Sequence, residues 1–515
     1  MVCTDDSEGL GYTTFTVDGI TYESMDGNDI RAVRIDSEAG RDIIIPSSLT
    51  YGGRTYTVRS LGEELSAYWD IDSIHIPETV VEIIPGALSS PDLEAISVDA
   101  ANPVYVVVGK ALYDNVRSSL VRYCPNNSDV VFEIPGHVIT IEAYAFYYAS
   151  NLEEIRNIPN SIKVIDKFTF SGCSSLSKIN YSVLKGVNIL PEGLIYIGRS
   201  AFSLCESLDN IVLPKSLIML DAFAFSYNSL LRTIEIQENV NYIGDSVFHG
   251  CDSLESIIVS PLNSFYLSLD GVLFLEEGNP KALTLVHYPS MKSDTSYVLP
   301  SNSNNIQSGA FYGVTNLKEV TFNDNFIVIP VGALLGASSV EKVFLPSTTV
   351  LIDTIAFSDC TSLTAIVGGE SVVTINGWAF ENTNLSMPFI PNSVTTIGHY
   401  AFYGCNGFVD ITIPSTVNSV GSYVFKNCSN IKSITFDGTD TVLSSDSLSI
   451  GSEESPATVT VYFHGGLTIP SDVSDGFTEL DLVELGKEPY PWVNLIGVAV
   501  CLLILFGMFR LFREV

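Results

Sequence analysis

Six cysteines stand three residues after a phenylalanine: Phe170/Cys173, Phe202/Cys205, Phe248/Cys251, Phe357/Cys360, Phe402/Cys405 and Phe425/Cys428. Thiols at a fixed spacing are candidate metal ligands or disulfide partners. Their slot also holds Ala149, Asn228, Val314, Ala337 and Thr383 in other copies of the same pattern. That tolerance describes a small packed position, and buried free cysteine behaves as a small hydrophobe. Side chains repeated along a ladder point the same way, whereas a disulfide needs Cβ atoms directed at each other. The six therefore read as a structural ladder, with Cys3, Cys124 and Cys501 outside it.

Other reactive constellations are missing. No two of His75, His137, His249, His287, His399 and His464 are three or four apart, and none belongs to H-E-x-x-H. There is no nucleophile elbow, phosphate-binding loop or dinucleotide fingerprint, and no calcium loop. Asp26-Gly27, Asp270-Gly271 and Asp437-Gly438 read as turns. No catalytic residue, cofactor or metal is expected. Converging carboxylates within 97–124 or 258–290 would be the sign of an enzyme. With 59 acids against 25 bases the formal charge is −34, which repels phosphate backbones and excludes a nucleic-acid partner.

The phenylalanines mark the elements that position all this. With degenerate copies the series runs Leu88, Phe146, Phe170, Phe202, Phe225, Phe248, Phe311, Leu334, Phe357, Phe380, Phe402, Phe425, and the step is 23 residues in most cases. A fixed period of this size predicts a mostly β repeat solenoid, in which one coil cannot bury its apolar side alone but stacked coils can. The unit is I-x-I-P-x-x-V-x-x-I-G-x-x-A-F-x-x-C-x-x-L-x-x-I, seen in Ile413–Ile434. Alternation in Ile411-Thr412-Ile413 marks a half-buried strand, and the proline ends its pairing. Gly198, Gly244, Gly398 and Gly421 follow an aliphatic residue where a turn is expected to need a permissive backbone.

The A-F-x-x-C-x-x-L core, recurring at one period over roughly residues 45–436, resembles the BspA-type leucine-rich repeats of cell-surface proteins. That family also carries inserts of the type N-x-x-Y-x-x-x-D-G-V-L. Asn263–Phe274 matches this, and Asn102–Tyr113 is a weaker copy. The inserts account for two of the three long gaps, Leu88 to Phe146 and Phe248 to Phe311. The resemblance implies a leucine-rich-repeat solenoid with ~23-residue turns and a surface role in adhesion or ligand binding.

Around this core we read an N-terminal cap over 1–44, repeats over 45–436 with inserts near 97–124 and 258–290, and a C-terminal cap over 437–486. Hairpins are expected at Phe15–Tyr22 and Tyr51–Tyr56. A spacer at 487–492 leads to an apolar stretch, 493–509, expected to be one transmembrane helix, with a tail at 510–515. Tyr490 and Trp492 precede the span and Arg510 and Arg513 follow it, which directs the C-terminus to the cytoplasm and the repeats outside. Met1–Glu8 lacks the basic start and apolar core of a signal peptide. A tail-anchored chain with cytosolic repeats therefore stays open beside the extracellular reading.

Strand positions between the inward apolar residues form the candidate binding face: His75, Glu133, Val212, Glu235, Ile258, Thr321, Phe344, Thr412 and Thr435. The expected function is a non-catalytic, single-pass cell-surface protein that presents a solenoid to a protein or glycan ligand. A structural envelope protein is the alternative.

Overall fold

The computed structural model describes residues 13–444, 446–450, 457–464, 467 and 477–485. They fall into two compact units, one of Met1–Asn325 with Gly332–Val340 and one of Phe326–Val331 with Glu341–Val515. Each is a β-solenoid. Among the described residues the helical element is a single 3-10 turn, Ser37–Ala39.

Most regular coils contribute two short parallel strands; at Ile189 and Val212 the first is reduced to a single bridge. In the first unit Thr233–Ile236 pairs in register with Ser256–Val259, and Tyr196–Ile197, Met219–Leu220 and Tyr242–Ile243 form a second ladder. In the second unit Asp410–Ile413 pairs with Ser433–Phe436, while Leu351–Ile352, Thr374–Ile375, Thr396–Ile397 and Ser419–Val420 line up likewise. Alternation sets the facing: in Asp410–Ile413 the two isoleucines are buried and the polar residues exposed. The proline that follows starts a tight turn, as in Val417 N–H to Pro414 O at 3.0 Å, and delivers the next aliphatic residue inward.

The side carrying A-F-x-x-C is neither strand nor helix. The residues two before and two after the core phenylalanine both take left-handed φ: Phe223 and Tyr227 around Phe225 (both 59°), Tyr400 (58°) and Gly404 (70°) around Phe402. For a non-glycine residue this conformation costs roughly 1–2 kcal/mol. In return every second N–H points along the solenoid axis to the next coil. Phe223, Phe225 and Tyr227 donate to Asp245, Val247 and His249 at 3.0, 3.0 and 2.6 Å. Tyr400, Phe402 and Gly404 donate to Ser422, Val424 and Lys426 at 3.0, 3.0 and 2.9 Å. Inside, the phenylalanines stack in a column: Phe170–Phe202–Phe225 at 5.2 and 5.3 Å, and Phe357–Phe380–Phe402 at 5.2 Å per step.

The recurrent glycines have a different reason from the one expected. Gly198, Gly244, Gly398 and Gly421 are not among the left-handed residues. They are glycine because the neighbouring coil runs against them: a Cβ on Gly398 would lie 2.6 Å from Gly377 N, and one on Gly421 2.6 Å from His399 N.

Three antiparallel meanders interrupt the coils, all in the first unit. Thr14–Val17, Ile20–Ser24 and Asp29–Ile35 form one, turning at Asp18-Gly19 with φ of 49° and 74°. Asp29–Ile35 then pairs with Arg54–Leu61, the second arm of the Tyr51–Tyr56 hairpin. The two inserts give Tyr105–Val108, Ala111–Asp114 and Ser119–Tyr123, and Tyr266–Leu269, Val272–Glu277 and Ala282–His287. The last strand of each meander passes into a parallel ladder, onto Arg54–Leu61 (and from there Glu82–Ile83), Thr140–Ile141 and Ser303–Ile306. The third long gap, Phe170 to Phe202, is filled by a loop over 180–188 closed by a Ser182–Val187 bridge. After Phe436 the repeat pattern fades but pairing continues onto Ala457–His464 and Phe477–Leu485. Among the described residues no helix is long and apolar enough to cross a membrane; residues 486–515, including the expected span, lie outside them.

Gly398→Val forces the neighbouring backbone aside and is expected to cost about 1–3 kcal/mol. The check is the urea midpoint, which should fall with an unchanged slope.

Candidate functional site

The outward strand positions occupy several separate ladders. In the first unit His75, half-buried, sits opposite Ser97 with Nδ1 2.9 Å from its Oγ. Glu133 lies opposite Arg156 and accepts from Asn157 Nδ2 at 2.6 Å. Glu235 faces Ile258, which is 52% exposed. Val212 stands apart in an isolated bridge with Ile189, and Thr321, half-buried, pairs with exposed Val298. In the second unit Phe344 lies beside exposed Val367 under the ammonium of Lys342, 4.6 Å from its ring centroid. Thr412, Thr435 and Tyr462 form one row. The structure thus brings Glu235 to Ile258 and Thr412 to Thr435, and leaves the other named residues beside partners the sequence had not singled out.

Sequence reasoning missed a second surface, made by the left-handed residues before the core phenylalanine. Tyr144 stacks on Phe168 at 4.9 Å, and Trp378 on Tyr400 at 4.9 Å, which stacks on Tyr423 at 5.0 Å. The aromatic residue at phenylalanine minus two, in Trp378-Ala379-Phe380 and Tyr400-Ala401-Phe402, was the signal available.

The ladder cysteines are buried free thiols. The expectation of a merely apolar-like slot is corrected by their hydrogen bonds. Cys173, Cys205, Cys251, Cys405 and Cys428 donate to the carbonyls of Phe146, Phe170, Phe225, Phe380 and Phe402, each in the coil before, at 3.0–3.2 Å. Asn228 does the same with Nδ2 to Phe202 O at 3.0 Å. Cys360 holds the same slot in the second unit. It is fully buried, and its main-chain N–H closes the turn onto Phe357 O at 3.2 Å, as that of Cys251 does onto Phe248 O at 3.1 Å. The slot thus favours a small side chain with a donor. Burial pushes the thiols of Cys173, Cys251 and Cys405 up to about 12, so the reactive thiolate is suppressed.

Each insert is locked by an asparagine. Asn263 donates to Gln237 O and Val240 O at 2.8 and 2.9 Å and accepts from Phe265 and Tyr266 N–H, both at 2.8 Å. Asn102 repeats this with Pro77 O, Val80 O, and the N–H groups of Val104 and Tyr105. The tyrosine hydroxyls then accept from Ile243 and Ile83 N–H at 2.8 Å. Arg122 and His287 hold equivalent buried places, each before a tyrosine that donates to the coil ahead. Arg122 donates to Tyr144, Tyr147 and Ser90 carbonyls at 2.7, 3.0 and 3.1 Å. Among the described residues His287 Nε2 has no hydrogen-bond partner, and burial pushes its imidazole down to about 3.

Acidic side chains do meet at the first insert. Asp114 and Glu142 line a cavity of about 220 Å³. Asp114 accepts from Ser119 N–H at 2.8 Å and Glu142 from Ser119 Oγ, so both brace the meander turn. Among the described residues no three or more His, Cys, Asp or Glu are grouped to hold a metal.

A family model for the BspA-type leucine-rich repeat region matches residues 114–189, 181–268, 289–408 and 329–452, together more than half of the chain. The chain belongs to this family of leucine-rich-repeat proteins. Among solved structures it is similar to a leucine-rich cell-surface protein of Faecalibacterium prausnitzii, at 23% identity over 83% of this chain and 95% of that one, TM-score 0.49. It is also similar to the pneumococcal vaccine antigen PcpA, at 22% identity over 92% and 98%, TM-score 0.43. A leucine-rich-repeat protein of Bacteroides ovatus follows at 21% over 91% and 99%, TM-score 0.36. The family assignment rests on the repeat match rather than on these likenesses. No curated protein sequence matches the chain at a significant level.

Cys251→Ser keeps a donor toward Phe225 O and should leave stability nearly unchanged, whereas Cys251→Val removes that donor, leaves Phe225 O with Asn228 Nδ2 at 2.7 Å, and should cost about 0.5–1.5 kcal/mol; thermal unfolding of the pair distinguishes them. For His287 the folded pKa lies below the unfolded value, so stability is present above pH 6.5 and is lost as pH falls toward 3. His287→Phe removes that proton uptake, and the midpoint of acid unfolding by circular dichroism should move to lower pH.

Proposed function

We propose that the chain is a non-catalytic cell-surface protein, anchored by residues 493–509, that presents its repeat surface for adhesion to a protein or glycan ligand. The observation carrying this reading is the register-matched rows of outward side chains on a rigid repeat backbone, with Glu235 beside Ile258 and Phe344 beside Val367. Such rows give an extended contact surface. In this reading the repeats lie outside, the tail 510–515 lies in the cytoplasm, and no cofactor is needed.

A tail-anchored cytosolic scaffold is the second reading, favoured by the free cysteines, which suit a reducing compartment. Their burial weakens that argument, because a thiol sealed behind phenylalanines is shielded from oxidants in either compartment.

Protease added to intact cells expressing the full chain should cleave the repeats without lysis. Protection until lysis would put the solenoid in the cytosol and overturn the surface reading. On the surface, replacing Phe344 and Ile258 together by Asp is expected to lower cell adhesion at least several-fold while leaving surface display unchanged.

A further inference from the structure

The loop over 180–188 has no place in the repeat, and its composition is unlike the rest of the chain. Val183 is 85% exposed and Leu184 fully exposed, side by side at the tip. Residues 178–190 hold two lysines, Lys178 and Lys185, and no acid, in a chain with 59 acids and 25 bases. Among the described residues neither lysine is within ion-pair distance of a carboxylate, though Lys178 stands opposite Glu154 in register and adds to the Arg156 contact that holds that carboxyl below its usual range; Lys178 also lies over the ring of Tyr181 at 6.0 Å.

The tip is held up. Ser182 and Val187 form an antiparallel bridge, and Gly186, at φ 66°, donates to Ser182 O at 2.7 Å. At the base, Asn188 is fully buried. Its Oδ1 accepts from Ile179 N–H at 2.7 Å, and its Nδ2 donates to Ser177 O and Asn210 O at 3.0 and 2.9 Å. A pinned finger that keeps two aliphatic side chains in water gains nothing for its own coil, since exposed apolar surface contributes no burial.

The same unit holds a cavity of opposite character. Its walls include Ile83, Leu88, Val104 and Val121, and Asp114 and Glu142 also line it, in a volume of about 220 Å³. Neither carboxylate has a cationic partner among the described residues. Arg122, also in the lining, is turned to main-chain carbonyls. An apolar floor with two carboxylates suits an apolar tip with lysines beside it.

We propose that the Val183-Leu184 finger of one copy of this chain docks in the cavity beside Asp114 and Glu142 of a second copy, with Lys185 meeting the carboxylates. The contact joins two different patches, so it is heterologous, and it adds copies in line rather than closing a dimer. This goes beyond the adhesion reading and stands or falls separately from it.

The full-length chain, reconstituted one per phosphatidylcholine nanodisc, is followed by sedimentation velocity. Wild type should associate increasingly with concentration, and less at high salt. Leu184→Asp, which spoils only the finger, should sediment as single discs over the same range. Glu142→Lys or Val104→Arg, which spoil the cavity, should do likewise; Val104→Arg, which leaves the Ser119 contact to Glu142 in place, should do so with an unchanged melting temperature. An equimolar mixture of Leu184→Asp with either cavity variant should form pairs and stop there, because one intact finger and one intact cavity remain. Wild type that stays single, or association indifferent to Leu184→Asp and to both cavity variants, would overturn the proposal. So would binding to empty discs that Leu184→Asp abolishes, which would assign the finger to lipid.

Discussion

The fold depends on the main-chain hydrogen bonds that leave the A-F-x-x-C side of one coil and end on the next. They exist only because two residues, placed four apart around each core phenylalanine, accept left-handed φ. That geometry turns three alternate N–H groups along the solenoid axis, as strands do on the other sides. With it, coils meet through main-chain hydrogen bonds on this side as they do along the strand ladders, and the phenylalanines are carried into register at about 5 Å. Without it, the polar main chain of this side would be left unpaired next to an aromatic core, at a cost comparable to a lost hydrogen bond per group.

This explains what the sequence revealed and what it hid. The phenylalanine period, the alternating strands and the Asp-Gly hairpins were legible because each is a one-dimensional signal of burial or turn chemistry. The left-handed positions were not legible, since Tyr, Phe and Trp stand there as readily as Gly and Ser. Propensity argues against aromatic residues at positive φ, and coil-to-coil bonding overrides it. The glycines after the aliphatic residue look like turn residues in the sequence, yet their backbone is ordinary and the constraint is a neighbour's amide. Contact between coils is not written in any one coil.

The candidate surface was legible in part. Alternation identified which side chains face out, but lateral neighbours such as Ser97 beside His75 or Val367 beside Phe344 come from strand register. The tolerance of the cysteine slot was legible, and the burial of all six, Cys360 among them, agrees with a packed position. Its preference for a donor became visible only when Asn228 and the thiols were found on equivalent carbonyls.

The three meanders carry a consequence for how the chain reaches this state. Parallel ladders whose partners lie 23 residues apart are slow to start, because each coil must be closed before any pairing is gained. A hairpin such as Tyr266–Leu269 with Val272–Glu277 closes over two residues and forms on the microsecond scale. Each meander then hands its last strand to the parallel strand beyond it. The inserts are thus local templates, and within the first unit the solenoid has three seeds from which stacking can grow.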